Sequence, residues 1–144
     1  MVDVTGKPVT SRRAVAEARI HMQDATRARL QGGETPKGDV LATVRVAAIQ
    51  AAKRTAELIP LCHPLPLNRV HVAIDLEGAT VVLRVEALAE ARTGVEMEAL
   101  TGASVGALTM YDMLKAVDRS MWFEVKLLEK EGGASGRFER APAP

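Results

Sequence analysis

The sequence predicts an α+β sandwich, a small sheet with helices on one face. Three observations point to it. Four segments alternate apolar and polar residues, two others carry helical periodicity, and the two kinds interleave along the chain. With 144 residues and 47% hydrophobic composition, the chain can build one domain with a real core.

Each element has a local reason. Ala14, Ala16, Ala18, Ile20 and Met22 alternate with Val15, Glu17, Arg19 and His21, a period of two that predicts a strand with one buried face. Residues 23–31 predict a short helix closed by Gly32-Gly33. Thr35 as N-cap and Pro36 at the first helical position open the next helix. Its apolar stripe is Val40, Val44, Ala47, Ala48, Ala51, Thr55 and Leu58, and Pro60 ends it. A proline-rich turn covers 60–66. Val70, Val72, Ile74 and Leu76 alternate, Gly78 turns the chain, and Leu83, Val85 and Ala87 return as the second arm of a hairpin. Val95 to about Val117 predicts a long helix, and Met121, Phe123, Val125 and Leu127 a last strand. Strand, helix, strand, strand, helix, strand is the split-βαβ, ferredoxin-like βαββαβ arrangement, here with an extra short helix after the first strand. Residues 1–137 read as a single domain and 138–144 as a flexible C-terminal tail.

Composition narrows the function classes. A net charge of +1 provides no large field to steer the protein to nucleic acid or membrane. The single cysteine, Cys62, excludes an internal disulfide framework and suits a reducing compartment. No apolar run is long enough to span a bilayer, and the N-terminus lacks a signal-peptide apolar region. A cytoplasmic protein is expected, with neither membrane nor nucleic acid as partner.

Four places can carry chemistry, and each has an ordinary structural explanation beside it. Lys37-Gly38 at a helix start reads as a phosphate contact or as a solvated lysine. Leu61-Cys62-His63-Pro64 holds a histidine between prolines, a fixed proton donor or acceptor or simply a turn histidine. There, Cys62 is more commonly a small buried hydrophobe than a nucleophile, and no CxxC or HxxxH pair accompanies it to make a metal site. Glu96-Met97-Glu98 complements the dipole of a helix start, which explains it without catalysis. Asp112 and Lys115 share a helix face as an acid–base pair or as a weak surface ion pair. A straight helix places Glu96 and Asp112 ~24 Å apart, too far to meet one small reacting centre. Either the helix starts later or a subunit interface brings these groups together. Small residues at Gly102, Ala103, Gly106 and Ala107 permit close packing of another element, and a homo-oligomer with sites between subunits is expected. A nucleotide-sensing module without catalysis and an RNA-binding sheet are the rival classes. The second lacks the aromatics its sheet face requires.

Taken together the segments resemble one family. They are Met1-Val2-Asp3-Val4, Lys37-Gly38-Asp39-Val40, Ala51-Ala52-Lys53-Arg54-Thr55, the run from Leu58 to Leu65 (LIPLCHPL), the run from Thr93 to Thr101 (TGVEMEALT) and Tyr111-Asp112-Met113. In this order, over nearly the whole chain, they resemble the MoaC family of molybdenum-cofactor biosynthesis. The resemblance implies a ferredoxin-like fold in a homohexamer, a trimer of dimers with sites at dimer interfaces. It implies conversion of a cyclic dihydro-GTP, made by an upstream radical enzyme, to cyclic pyranopterin monophosphate with release of pyrophosphate. No cofactor is required, and a divalent cation accompanying the triphosphate is compatible with the scheme. By match, Asp112, Lys115 and Lys37 are catalytic. Leu61, Cys62, His63, Glu96, Met97, Glu98, Lys130 and Arg12 bind substrate, with Asp3 and Lys7 matching further polar positions. Two positions depart from the family pattern. Arg92 stands where lysine is common, and Ala134 stands where Gly-Gly-Lys-Ser-Gly is usual.

Overall fold

The computed structural model describes residues 1–142. Its elements are β1 (Thr10–His21), α1 (Asp24–Gly32), α2 (Val40–Lys53), the single turn α3 (Thr55–Leu58), β2 (Leu67–Glu77), β3 (Thr80–Ala91), α4 (Glu96–Leu114), β4 (Trp122–Glu131) and β5 (Phe138–Glu139). The sheet order is β2-β3-β1-β4-β5, with all pairs antiparallel. Its first four strands give the ferredoxin-like topology that the element order predicts. The core lies between the sheet and the α2/α4 layer, where Ile20, Leu83, Val85, Val44, Met110 and Leu114 are fully buried.

The small residues of α4 set how close the layers come. A Cβ on Gly106 would lie 2.5 Å from Leu83 Cδ2 and 3.3 Å from Ala48 Cβ, and one on Gly102 would lie 3.1 Å from the Ala48 carbonyl. The partner of this stripe is therefore α2 and β3 of the same chain.

Three boundaries differ from expectation. Helix α2 begins at Val40, not at Pro36. Gly38 has φ +89°, which cannot continue into a helix, and the Asp39 side chain is the N-cap, accepting from the Ala42 N–H at 3.0 Å. The Thr35 hydroxyl instead donates to the Gly38 carbonyl within the preceding turn. The helix expected to run on to Pro60 breaks after Lys53. The Thr55 hydroxyl donates to the Ala52 carbonyl at 2.9 Å, and the Arg54 N–H tightens to the Ala51 carbonyl. Leu58, assigned to the apolar stripe, is 56% exposed as a result. Finally, Phe138 and Glu139 are not part of a free tail. They pair with Lys130 and Glu129 of β4, after a turn built on Gly132, Gly133 and Gly136 at positive φ. Residues 143–144 of the predicted tail lie outside the described residues.

One buried carboxylate ties the short helix to the rest. Asp118, between α4 and β4, is 4% exposed. It accepts from the Thr26 hydroxyl (2.9 Å), the Gln23 N–H (3.1 Å), and the Ser120 N–H (2.9 Å) and hydroxyl (2.6 Å). Burial pushes its carboxyl up, but these bonds outweigh burial and hold it at about 2 against an ordinary 3.8. A pKa depressed in the folded state stabilises the fold above the unfolded value, and that contribution is lost as pH falls from ~4 towards ~2. Asp118→Ala is expected to destabilise the protein by ~2–3 kcal/mol at pH 7 in urea titrations, and to flatten the acid limb of stability in that window.

Candidate functional site

The C-terminal end of α4 gathers the three residues expected to be catalytic. Asp112 lies on the last turn of the helix, with Lys115 at its C-cap, where a cation complements the helix dipole. Lys37 arrives from the Thr35–Gly38 turn, closed by a Gly38 N–H to Thr35 carbonyl bond of 3.2 Å. It does so as a turn residue and not, as the predicted helix start required, from the first turn of α2. The Lys37 Nζ is 2.6 Å from Asp112 Oδ2, and the Lys115 Nζ is 2.8 Å from Asp112 Oδ1. Lys115 first, then Lys37, holds the Asp112 carboxyl at about 2. One carboxylate thus orients two ammonium groups and leaves the cluster net positive. All three side chains are about half exposed, so an arriving anion can reach them. Chemically the cluster can receive a phosphoryl oxygen, donate a proton, or stabilise developing negative charge.

The remaining expected residues lie at the other end of the same helix. The turn before β2 is pinned by a Cys62 N–H to Ile59 carbonyl bond of 3.1 Å and presents Leu61 at 70% exposure. Burial, with the Glu98 charge, pushes the Cys62 thiol up, which argues against an activated nucleophile. Glu98 is itself buried, and burial raises its carboxyl, partly offset by its own backbone amide. His63 borders shallow clefts shared with the 1–5 segment and with Arg92. Next to them opens a cavity of about 630 Å³ walled by Lys7, Arg12, Arg92, Lys130, Glu96 and the Gly132–Ser135 loop. That volume suits a nucleotide-sized ligand, and the lining favours an anionic one.

Arg12 is the fixed part of this wall. It is 8% exposed and donates through Nε to the Ala91 carbonyl (3.3 Å) and through Nη2 to that of Arg92 (3.4 Å). Gly133, at φ +78°, passes directly over it, and a Cβ there would fall 1.9 Å from Arg12 Nη1. Lys130, on β4, meets the Ser135 hydroxyl across the loop. Ala134 lies in that loop, so the cation absent there is absent from the cavity wall.

The structure therefore divides the expected residues into two groups. Lys37, Asp112 and Lys115 form one cluster. Leu61, Cys62, His63, Glu96, Met97, Glu98, Arg12 and Lys130 surround the other end. Because α4 is one continuous helix of 19 residues starting at Glu96, a later start is excluded. The two groups stay ~24 Å apart within one chain. Arg92 is the residue that the motif reading undervalued. Noted there only as a departure, it borders the large cavity and both clefts beside His63. The signal was its place between the end of a strand and Thr93-Gly94. Among the described residues no cluster of three or more His, Cys, Asp or Glu is placed to hold a metal, and no helix is long and apolar enough to cross a membrane.

Fold and site define a ferredoxin-like α+β protein with two cationic surfaces suited to an anionic small molecule. The chain belongs to the MoaC family, whose sequence profile matches residues 1–133. A protein of Herpetosiphon aurantiacus named cyclic pyranopterin monophosphate synthase is 56% identical over 147 residues, covering 100% of this chain and 90% of that protein. One of the same name from Thermomicrobium roseum is 55% identical over 143 residues, covering 97% and 86%. Among solved structures, a de novo designed protein with a ferredoxin fold gives a TM-score of 0.48 at 14% identity, covering 92% of this chain and 97% of the design. Strand order, not that likeness, defines the fold.

Proposed function

We propose that this chain catalyses the reaction after which its relatives are named. It converts (8S)-3',8-cyclo-7,8-dihydroguanosine 5'-triphosphate, supplied by a radical enzyme, to cyclic pyranopterin monophosphate and pyrophosphate. The observation that carries the reading is the Lys37–Asp112–Lys115 cluster, which the Thr35–Gly38 turn and the end of α4 converge to build. Closing the cyclic phosphate requires a sugar hydroxyl to attack the α-phosphorus while the α–β phosphoanhydride P–O bond breaks and pyrophosphate departs. Charge builds on phosphate oxygens in that step, and compact ammonium groups stabilise it. Lys37 takes the phosphate end. Lys115 donates and accepts protons, with Asp112 holding it in place. Glu98, buried near Cys62, meets the base-derived edge, and the Lys7, Arg92 and Lys130 wall receives the departing phosphates.

The separation along α4 supports a site shared between two copies. The outward stripe of α4 includes Met97 (36% exposed), Ser104 and Leu108 (56% exposed). Ser104 lies midway between Glu96 and Asp112. Two copies pairing antiparallel along this stripe, about a twofold axis near Ser104, set the Glu96 end of each beside the Asp112–Lys115 end of the other. This pairing is the dimer of the expected hexamer.

The test is pyrophosphate release from the cyclic dihydro-GTP by the purified protein. Stoichiometric pyrophosphate with one pterin product per substrate is the expected result. Tight binding without turnover would move the protein to the sensor class.

A further inference from the structure

Three glycines shape the turn between β4 and β5, and a side chain at each would meet something different. All three have positive φ: Gly132 +93°, Gly133 +78° and Gly136 +69°. A Cβ on Gly132 would run into the Ser11 carbonyl, which is backbone and cannot yield cheaply. A Cβ on Gly136 would meet nothing within 4 Å. At Gly133 the three nearest atoms would all belong to Arg12: Nη1 would be overlapped outright, with Cζ at 2.8 Å and Nη2 at 3.2 Å. Positive φ alone accounts for Gly136. Gly132 in addition seats the turn against β1, and Gly133 in addition makes room for one guanidinium.

That guanidinium is incompletely satisfied by the protein. Arg12 is 8% exposed, and its acceptors are two backbone carbonyls, those of Ala91 and Arg92, reached through Nε and Nη2. No carboxylate pairs with it among the described residues. Nη1 meets no acceptor there either, yet it is not sealed from solvent, and Arg12 lines the cavity of about 630 Å³. A cation this buried is normally neutralised by a neighbouring anion. Here the counter-charge comes from the cavity, and Nη1 is the group left to meet it.

We propose that Gly133 is a positioning residue for substrate phosphate, acting through Arg12. The proposal rests on reading the cavity as the phosphate end of the site. The bare backbone at 133 lies over the guanidinium and confines it against the two strand-end carbonyls, which fixes the direction of Nη1. Two bonds keep that backbone in place. The Gly136 N–H donates to the Gly133 carbonyl at 3.1 Å, and Lys130 meets the Ser135 hydroxyl. A side chain at 133 would displace the guanidinium first, because the tip of a long side chain gives way before the turn does. The Nη2 bond to the Arg92 carbonyl would break and Nη1 would swing out of line. The fold would survive, but the charge would lose its aim. A guanidinium already held in its binding geometry loses less freedom when an anion arrives, so it binds more tightly.

Calorimetric titration of the full chain with inorganic pyrophosphate tests this. Gly133→Ala is expected to weaken binding about tenfold. Gly136→Ala carries the same positive-φ cost in the same turn but faces open space, and is expected to change binding less than about twofold. In an Arg12→Ala background, adding Gly133→Ala is expected to cost less than about a further twofold, because the group it displaces is gone. Thermal melting reads the same cycle without ligand: the Tm loss from Gly133→Ala shrinks to that from Gly136→Ala once Arg12 is alanine. Equal binding losses from Gly133→Ala and Gly136→Ala overturn the proposal. So does an undiminished effect of Gly133→Ala in the absence of Arg12. If Gly133→Ala alone does not fold, recovery of folding in the Arg12→Ala, Gly133→Ala double variant supports the clash with Arg12, and no recovery overturns it. A wild-type chain that ignores pyrophosphate overturns both the positioning and the phosphate reading of the cavity. Neither readout uses turnover, so loss of the coupling alone leaves the proposed reaction standing, and an inactive protein that shows the coupling keeps the positioning.

Discussion

Lys115→Ala is expected to lower the rate of pyrophosphate release by about 10³-fold, with the fold intact. The side chain is 47% exposed and its polar partner is Asp112 at 2.8 Å. Its loss therefore removes no core packing. What is lost is a charge fixed at the end of a helix and a proton that can be moved. Lys115→Arg separates these two roles, since a guanidinium keeps the charge but does not release its proton near neutrality. If proton transfer dominates, arginine restores substrate affinity and little turnover. Retention of more than about a tenth of wild-type turnover by Lys115→Ala would remove the residue from the mechanism. The pH profile adds a check. Asp112, held at about 2 by Lys115 and Lys37, is charged from that pH upward. Its protonation therefore cannot produce an acidic limb of the rate profile anywhere near neutrality. A limb at pH 6 belongs to another group.

Mixing two inactive variants is expected to restore activity. Lys115→Ala disables the C-terminal end of α4, and His63→Ala the opposite end. If each site takes one end from each of two copies, a mixed dimer contains one doubly damaged site and one intact site. Random reassociation then recovers about one quarter of wild-type turnover. A site contained within one chain recovers nothing. The experiment needs dissociation and reassembly, or co-expression with separable tags, and it reads the pairing through chemistry. Leu108→Arg, which places a charge in the exposed α4 stripe, should abolish the recovery without unfolding the subunit.

Much of the fold was legible because it rests on local patterns. Alternation at 14–22 and 70–76 defined strands whose apolar rows face the helices, but Val15 and Glu17 are buried on the other face of β1 as well, and Leu76 is 38% exposed. The boundaries that moved did so where a side chain competes with the backbone. Asp39, not Thr35, caps α2 because Gly38 takes a positive φ, and a helix-cap search that weighs Thr-Pro over Gly-Asp misses that. Thr55 breaks the same helix by bonding to its own preceding turn. The pairing of Phe138 with Lys130 depends on a three-glycine turn whose geometry has no hydrophobic period. In the site, residue types and motifs were readable, whereas the meeting of Lys37 with Asp112 is a tertiary fact. So is Arg92, whose cavity exists only after β3, β4 and the glycine loop are assembled. Helix length left two alternatives, a later start or a site divided into two ends, and the continuous α4 from Glu96 excludes the first.

Helix α4 therefore behaves as a measuring rod. Inserting one residue between Glu96 and Asp112 would move Asp112 and Lys115 by ~1.5 Å along the axis and turn them by ~100°. That is enough to part Asp112 and Lys115 from Lys37 and break up the cluster. A length change in this helix is therefore not tolerable. In the symmetric pair proposed above, the same span would set the two reaction centres ~24 Å apart, so each would turn over its own substrate.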